Sequence, residues 1–133
     1  MNNMAEKNKK KKLVLIIDDD KFLLDMYATK FEQSGFEVET ALGAADGIEK
    51  LKGGLAPDII ITDVLMPALD GFAFIEKVKE EKLAPASKII ILSNKGEKAD
   101  VDKGMSLGAA GYIVKASAIP SEVVKRVDEI VSS

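Results

Sequence analysis

The sequence predicts a doubly wound α/β fold, in which five parallel strands form one sheet with helices on both of its faces. From Leu13 onward, short apolar runs rich in β-branched residues alternate five times with amphipathic segments, which is the pattern of repeated β-α units. Three of these runs lack polar alternation, so helices are expected to cover both of their faces. A length of 133 residues suits one domain of ordinary size.

The five predicted strands are short and are spaced along the whole chain. They extend from Leu13 to Asp18, Phe36 to Thr40, Asp58 to Thr62, Lys88 to Leu92 and Gly111 to Val114. The first, third and fourth are almost wholly apolar, which predicts burial on both faces of the sheet. The second alternates apolar and polar residues, which predicts an edge strand.

The five predicted helices follow the strands in order. They extend from Lys21 to Ser34, Ala44 to Lys52, Phe72 to Lys82, Lys98 to Leu107 and Pro120 to Val131. The first helix carries an apolar stripe that is expected to pack on the sheet, and Gly35 follows it where a C-terminal cap belongs. That stripe consists of Phe22, Leu23, Met26, Tyr27 and Phe31. Gly47 and Gly104 weaken the second and fourth helices, because glycine is unfavourable in a helix interior.

The composition supports a packed core and excludes several classes of function. Hydrophobic residues make up 47% of the chain and charged residues 31%. The chain has no cysteine, which excludes disulfides and thiolate sites and fits a reducing compartment. It has no histidine either, so it can neither use imidazole chemistry nor carry a phosphohistidine. The first apolar run, Leu13 to Ile17, is too short to span a membrane, and we expect a cytoplasmic protein.

Charge is distributed unevenly along the chain. The net charge is −3, of which residues 1–12 carry +4 through five lysines and Glu6, so the remainder carries −7. A short lysine run at a terminus predicts a disordered tail over residues 1–12, to which we assign no function, followed by one domain over residues 13–133. The negative charge of that domain gives no indication of nucleic-acid binding.

Chemically active side chains follow several of the predicted strands. The first strand ends in Asp18, to which Asp19 and Asp20 are adjacent, and Asp63 follows the third strand. Ser93 follows the fourth strand and Lys115 the fifth. In an open parallel sheet, functional groups gather beyond the carboxyl ends of the strands. Carboxylates held together repel one another, and a divalent cation with oxygen ligands, Mg²⁺ above all, would relieve that repulsion.

The chain resembles the receiver domain of bacterial response regulators, of the CheY-like superfamily, over residues 13–131. The motifs that carry the resemblance are Asp18-Asp19 after a buried strand, Asp63 followed by Met66-Pro67 and Asp70-Gly71, Ser93 after an isoleucine run, and Gly111-Tyr112 before Lys115. The intervals are 44 residues from Asp19 to Asp63, 30 from there to Ser93 and 22 from there to Lys115. The resemblance implies the strand order 2-1-3-4-5 of flavodoxin-like folds, and a stand-alone single-domain response regulator.

The resemblance also implies a site and a function. Asp63 would accept a phosphoryl group from the phosphohistidine of a sensor histidine kinase or a histidine phosphotransfer protein. Lys115 would pair with that group and Ser93 would hydrogen-bond to it, after which Tyr112 would turn inward. The ligands of Mg²⁺ would be Asp19, Asp63, the main-chain carbonyl of Leu65 and, through water, Asp18.

This phosphorelay switch would change the surface formed by the fourth helix, the fifth strand and the fifth helix, which a downstream protein target would bind. It would catalyse its own phosphorylation and dephosphorylation without turning over a separate substrate, and so would not be an ordinary enzyme. We expect a monomer, and leave open whether phosphorylation drives dimerisation.

Two features depart from the family pattern. Ala116 follows Lys115, where family members usually have a proline in a cis bond; a cis bond to alanine costs about 2.5 to 4 kcal/mol, so we expect a trans or locally strained bond. Leu65 and Lys95 occupy the two positions that help to set the lifetime of the phosphoryl group in the family. Since Leu65 has no polar group to orient an attacking water, we expect slow loss of phosphate.

Two other functions remain open at this point. Asp18, Asp19 and Asp20 contain an Asp-x-Asp motif after a buried strand, as in haloacid-dehalogenase-like phosphatases, where Asp18 would be the nucleophile; that reading leaves the segment from Asp63 to Asp70 without a role. A receiver-shaped scaffold that is never phosphorylated is the second alternative. Asp20 itself is interpreted as the N-cap of the first helix.

Overall fold

A computed structural model describes residues 11–132 and contains five strands and five α-helices within that range. The strands are β1 (Leu13–Asp18), β2 (Glu37–Leu42), β3 (Ile59–Thr62), β4 (Lys88–Ser93) and β5 (Gly111–Val114). The helices are α1 (Lys21–Gln33), α2 (Ala44–Lys52), α3 (Gly71–Glu80), α4 (Lys98–Ser106) and α5 (Pro120–Ser132). A short 3₁₀ turn, Lys115–Ser117, lies between β5 and α5. Nearly all of the tail predicted for residues 1–12 lies outside the described residues, so that division of the chain remains a prediction.

The five strands form one parallel sheet in the order β2-β1-β3-β4-β5. The α/β fold and the strand order expected from the sequence are therefore confirmed. The register sets Ile17 of β1 beside Thr62 of β3, and Thr62 beside Ile91 of β4. Because all strands run in the same direction, the residues that follow them meet at one edge of the sheet.

Apolar side chains cover both faces of the sheet. Successive residues of a strand point to opposite faces, so Ile60 and Ile91 pack against α2 and α3, whereas Ile61 and Ile90 pack against α1 and α5. Ile60, Ile90 and Ile91 are completely buried. The burial on both faces that the sequence predicted for the three apolar strands is thus confirmed. In the part of the chain that the structure describes, no helix is long and apolar enough to cross a membrane.

The apolar stripe predicted for α1 is partly wrong. Phe22 is 78% exposed, whereas Leu24, which the stripe did not include, is buried together with Tyr27 and Phe31. Residues 24, 27 and 31 recur on one helical face, and Phe22 is rotated by about 200° from Leu24 because each residue turns the helix by about 100°. The Asp20 side chain accepts a hydrogen bond of 3.2 Å from the Leu23 amide, which confirms it as the N-cap of α1.

Several predicted boundaries differ from the structure by one or two residues. The strand β2 begins at Glu37 and ends at Leu42; Phe36 is outside it and packs edge-on against Phe31, with ring centroids 5.2 Å apart. The predicted edge position of β2 is confirmed. The strand β4 includes Ser93, so this serine ends the strand instead of following it.

The helix α3 begins directly against the backbone of Asp63. The Asp70 side chain caps it by accepting a 2.9 Å hydrogen bond from the Ala73 amide, and the Gly71 amide donates to the Val64 carbonyl at 3.0 Å. A Cβ atom on Gly71 would overlap the Asp63 carbonyl oxygen and lie 2.8 Å from the Val64 Cα. Glycine at this position therefore lets the helix approach the segment that carries Asp63.

We predict that Gly71→Ala lowers the free energy of unfolding by about 3 kcal/mol, because the clash is with backbone that cannot rotate away. Gly53→Ala is the matched control: Gly53 is exposed and has φ −77°, which alanine adopts without strain, so its effect should stay within about 1 kcal/mol. Urea unfolding of both variants measures the difference. Equal stability of the two variants would contradict the close approach at Gly71.

Candidate functional site

Three aspartates come together where β1 and β3 end. Asp18 is the last residue of β1, Asp19 follows it, and Asp63 follows β3. Carboxylate oxygens of the three lie within 4.8 Å of one another. Asp18 is 3% and Asp63 7% exposed, whereas Asp19 is exposed to solvent. The structure thus brings together the acidic residues that the sequence placed at neighbouring strand ends.

The side chain of Lys115 joins this cluster. Its ammonium group donates to Asp18 Oδ2 at 2.8 Å and to Asp63 Oδ2 at 2.7 Å, and the side chain is only 8% exposed. Lys115 begins the 3₁₀ turn after β5, and the described residues contain no cis peptide bond. The Lys115–Ala116 peptide bond is therefore trans, which is one of the two outcomes that the sequence left open. Lys115 contacts both carboxylates with the bond in this form.

Backbone amides hold the other oxygen of the Asp63 carboxylate. Asp63 Oδ1 accepts hydrogen bonds from the amides of Val64, at 2.6 Å, and Leu65, at 3.1 Å. With Lys115 on Oδ2, both oxygens have donors and the carboxylate is fixed in orientation. The side chain of Leu65 is 56% exposed. These two amides were missed by the sequence analysis, because every residue has a backbone amide and no side-chain pattern marks the ones that matter.

Ser93 and Tyr112 form no hydrogen bond with the carboxylates but are linked to each other through Lys95. The buried Ser93 Oγ accepts a 3.2 Å hydrogen bond from the Lys95 amide. The Tyr112 hydroxyl donates to the Lys95 carbonyl. The ammonium group of Lys95 lies 3.3 Å from Asp100 of α4. The sequence predicted roles for both Ser93 and Tyr112, but not the main-chain link between them.

Burial and charge shift the pKa values of these groups in different ways. Burial raises the pKa of Asp18 above its ordinary value of 3.8, although the hydrogen bond from Lys115 opposes this. Burial alone would lower the pKa of Lys115, but its hydrogen bonds to Asp18 and Asp63 and the charges of both raise it overall. Burial, with the charges of Asp100 and Asp63, raises the pKa of Tyr112 to about 12. Of the buried ion pair, Asp18 is thus the group in which burial outweighs its partner and favours the neutral form.

The donor set fits a hard divalent cation. When all are ionised, the three carboxylates carry three negative charges and Lys115 supplies one positive charge, so the cluster keeps an excess of negative charge. Oxygen-only ligands, with one of the three carboxylates open to solvent, suit Mg²⁺, which retains part of its water shell. The residues present therefore match the metal that the sequence analysis expected.

Comparison with known proteins identifies the family. The model of the response regulator receiver domain matches residues 14–128. The chain belongs to this family. Receiver domains are the phosphorylated signalling switches of two-component systems. The match includes every residue of the acidic cluster and all strand residues of the sheet except Leu13.

Individual relatives agree with this assignment. The receiver domain is 36% identical over 105 residues to the chemotaxis protein CheY of Treponema pallidum, covering 77% of this chain and 71% of that protein. It is 36% identical over 121 residues to the alkaline phosphatase synthesis transcriptional regulatory protein PhoP of Bacillus subtilis, covering 90% of this chain but 48% of that regulator. The chain thus spans about half the length of that regulator.

The structure of the chemotaxis protein CheY4 of Vibrio cholerae superposes on the receiver domain with a TM-score of 0.83. The two are 27% identical, and the match covers 91% of this chain and 99% of the other. The strand order 2-1-3-4-5 expected from the resemblance is therefore supported by the structure itself and by this likeness.

We predict that Asp18→Asn stabilises the domain at pH 7 in the absence of divalent cations. Because burial raises the folded-state pKa of Asp18, the protonated form of Asp18 favours the folded state. This stabilisation is fully present below pH 3.8 and is lost as the pH rises through the folded-state pKa. Asparagine stays neutral, so the advantage of the variant should shrink as the pH falls from 7 toward 3.8. Urea unfolding of parent and variant across this pH range measures the difference between their free energies of unfolding. A difference that does not change with pH would contradict the prediction.

Proposed function

We propose that Asp63 accepts a phosphoryl group from a phosphohistidine of a partner protein, and that this modification switches the domain between two signalling states. The observation that carries the proposal is the Asp63 carboxylate, held by two amides on one oxygen and by Lys115 on the other. The chain has no histidine, so the donor is a partner: a sensor histidine kinase or a histidine phosphotransfer protein.

In the transfer, an Asp63 oxygen forms a bond to phosphorus as the bond from phosphorus to the partner's imidazole nitrogen breaks. Phosphoryl transfer depends on in-line positioning and on neutralising charge more than on an acid or a base. The amides of Val64 and Leu65 position the carboxylate. Lys115 neutralises charge on the arriving group, for which its raised pKa keeps it protonated.

The residues that would hold Mg²⁺ are Asp19, Asp63, the carbonyl of Leu65 and, through water, Asp18. When bound, the metal supplies positive charge that reduces repulsion between the carboxylates and an incoming phosphoryl group. In its absence, the cluster itself opposes the approach of an anion, because Lys115 balances only one of the carboxylates.

The proposed switch runs from Asp63 to α4, β5 and α5. After transfer, Ser93 would hydrogen-bond to the phosphoryl group, and Tyr112, which is already half-buried, would turn further inward. The surface of α4, β5 and α5 would then bind a downstream protein. The domain would act as a monomer that turns over no separate substrate. Leu65 exposes an apolar side chain at the site and offers water no orienting group, so the phosphoryl group should be lost slowly.

We predict that a small acyl phosphate with Mg²⁺ labels the protein on Asp63 and that Asp63→Asn abolishes the label. Asp20→Asn is the control, because Asp20 is adjacent to the cluster but caps α1. Mass spectrometry of peptides locates the label. Label on Asp18 would indicate the haloacid-dehalogenase-like chemistry instead. Absence of label although Mg²⁺ binds would indicate a scaffold that is never phosphorylated.

We predict further that Asp19→Asn slightly stabilises the metal-free domain and removes most of the stabilisation that Mg²⁺ gives. The variant has less carboxylate repulsion and a weaker ligand set. At about a hundredfold excess over its dissociation constant, Mg²⁺ should stabilise the parent by about 2.7 kcal/mol. Thermal melts with and without Mg²⁺ measure both effects, and Asp20→Asn, an equally good N-cap, should respond like the parent. An unchanged response of Asp19→Asn would remove Asp19 from the metal site.

A further inference from the structure

Gly104 is an unusual residue for the position it occupies in α4. It lies in the interior of the helix, where glycine is less favourable than any residue except proline, and it is the one buried residue of α4. The other residues of this helix are exposed or half-buried. The contact between α4 and the sheet is therefore concentrated at Gly104, which has no side chain.

The ring of Tyr112 occupies the space beside Gly104. A Cβ atom at position 104 would lie 3.1 Å from Tyr112 Cδ2 and 3.2 Å from Tyr112 Cε2. It would also lie 2.5 Å from the terminal methyl of Ile91, a residue that is completely buried. The Ile91 methyl makes the closer contact, but Ile91 is completely buried and the ring is half-buried, so we expect the ring to be displaced.

The position of this ring is passed on to Ser93 through one residue. The Tyr112 hydroxyl donates to the Lys95 carbonyl, and the Lys95 amide donates to Ser93 Oγ at 3.2 Å. The Lys95 ammonium group is also paired with Asp100 of α4, at 3.3 Å. The loop between β4 and α4 is thus attached to the ring, to the buried serine and to the helix at the same residue.

We propose that Gly104 is a positioning residue: its missing side chain admits the Tyr112 ring beneath α4, and the seated ring holds Ser93 through the main chain of Lys95. A side chain at position 104 displaces the ring outward, breaks its hydrogen bond and so removes one of the three attachments of the loop. The effect on signalling rests on the proposed function, whereas the seat of the ring does not.

The chain permits a direct test because it has two tyrosines and no tryptophan. In a Tyr27→Phe background, the fluorescence of the protein comes from Tyr112 alone. That background should fold like the parent, because within residues 11–132 the buried Tyr27 hydroxyl makes no hydrogen bond that phenylalanine would lose. Gly104→Ala in this background should increase quenching of Tyr112 fluorescence by acrylamide. It should also lower the pKa of Tyr112 from about 12 toward the ordinary value of 10.0.

Gly47→Ala is the matched control. Gly47 is also a buried glycine inside a helix, and a Cβ there would lie 2.7 Å from the terminal methyl of Ile17, but no tyrosine is among its neighbours. This variant should leave the quenching and the pKa of Tyr112 unchanged. If Gly104→Ala folds and its Tyr112 behaves as in Gly47→Ala, the proposal is wrong. Both measurements use unphosphorylated protein, so failure here is distinct from failure to label Asp63.

A second pair of variants covers the case in which Gly104→Ala alone does not fold. In a Tyr112→Ala background the ring is absent, and the terminal methyl of Ile91 gains space into which it can turn. Gly104→Ala should then raise the melting temperature, because alanine favours the helix. If it lowers the melting temperature in this background as much as with the ring present, the ring is not what position 104 accommodates, and the proposal fails.

Discussion

The ammonium group of Lys115 bridges two carboxylates, Asp18 and Asp63, that belong to the ends of neighbouring strands. Buried charges of one sign are tolerated only when a partner is within hydrogen-bonding distance. The parallel sheet supplies that partner because Lys115 follows β5, whose carboxyl end lies on the same side of the sheet as those of β1 and β3. The short turn after β5 matters for the same reason, because it sets where the lysine side chain starts.

This ion pair does not neutralise the site, and the remaining charge connects stability with function. One ammonium faces three carboxylates, and burial already disfavours the charge on Asp18. A bound cation stabilises the folded domain most where carboxylates otherwise repel one another. Two glycines lie in the same region: Gly71 packs against the backbone of Asp63, and Gly104 packs against the Tyr112 ring. The geometry of this site is thus achieved partly at the expense of local stability.

The fold could be predicted from the sequence because strands such as Ile59–Thr62 are almost wholly apolar and recur between amphipathic helices. Asp18, Asp19, Asp63 and Lys115 could be predicted as neighbours because parallel topology collects strand ends. Packing within one helix could not be predicted as well: Phe22 is exposed because the face of α1 is set by contacts with the sheet. The amides of Val64 and Leu65 and the main chain of Lys95 carry no side-chain signature, and only the folded backbone reveals them.

The edge strand β2 has a consequence for the behaviour of the protein at high concentration. An uncovered strand edge is a template on which another copy of the chain can add a strand. Glu37 and Glu39 are exposed on β2, so a second copy paired to this edge in register would set glutamates against glutamates. Electrostatic repulsion thereby opposes the addition of a strand at β2, and this opposition should weaken in strong salt.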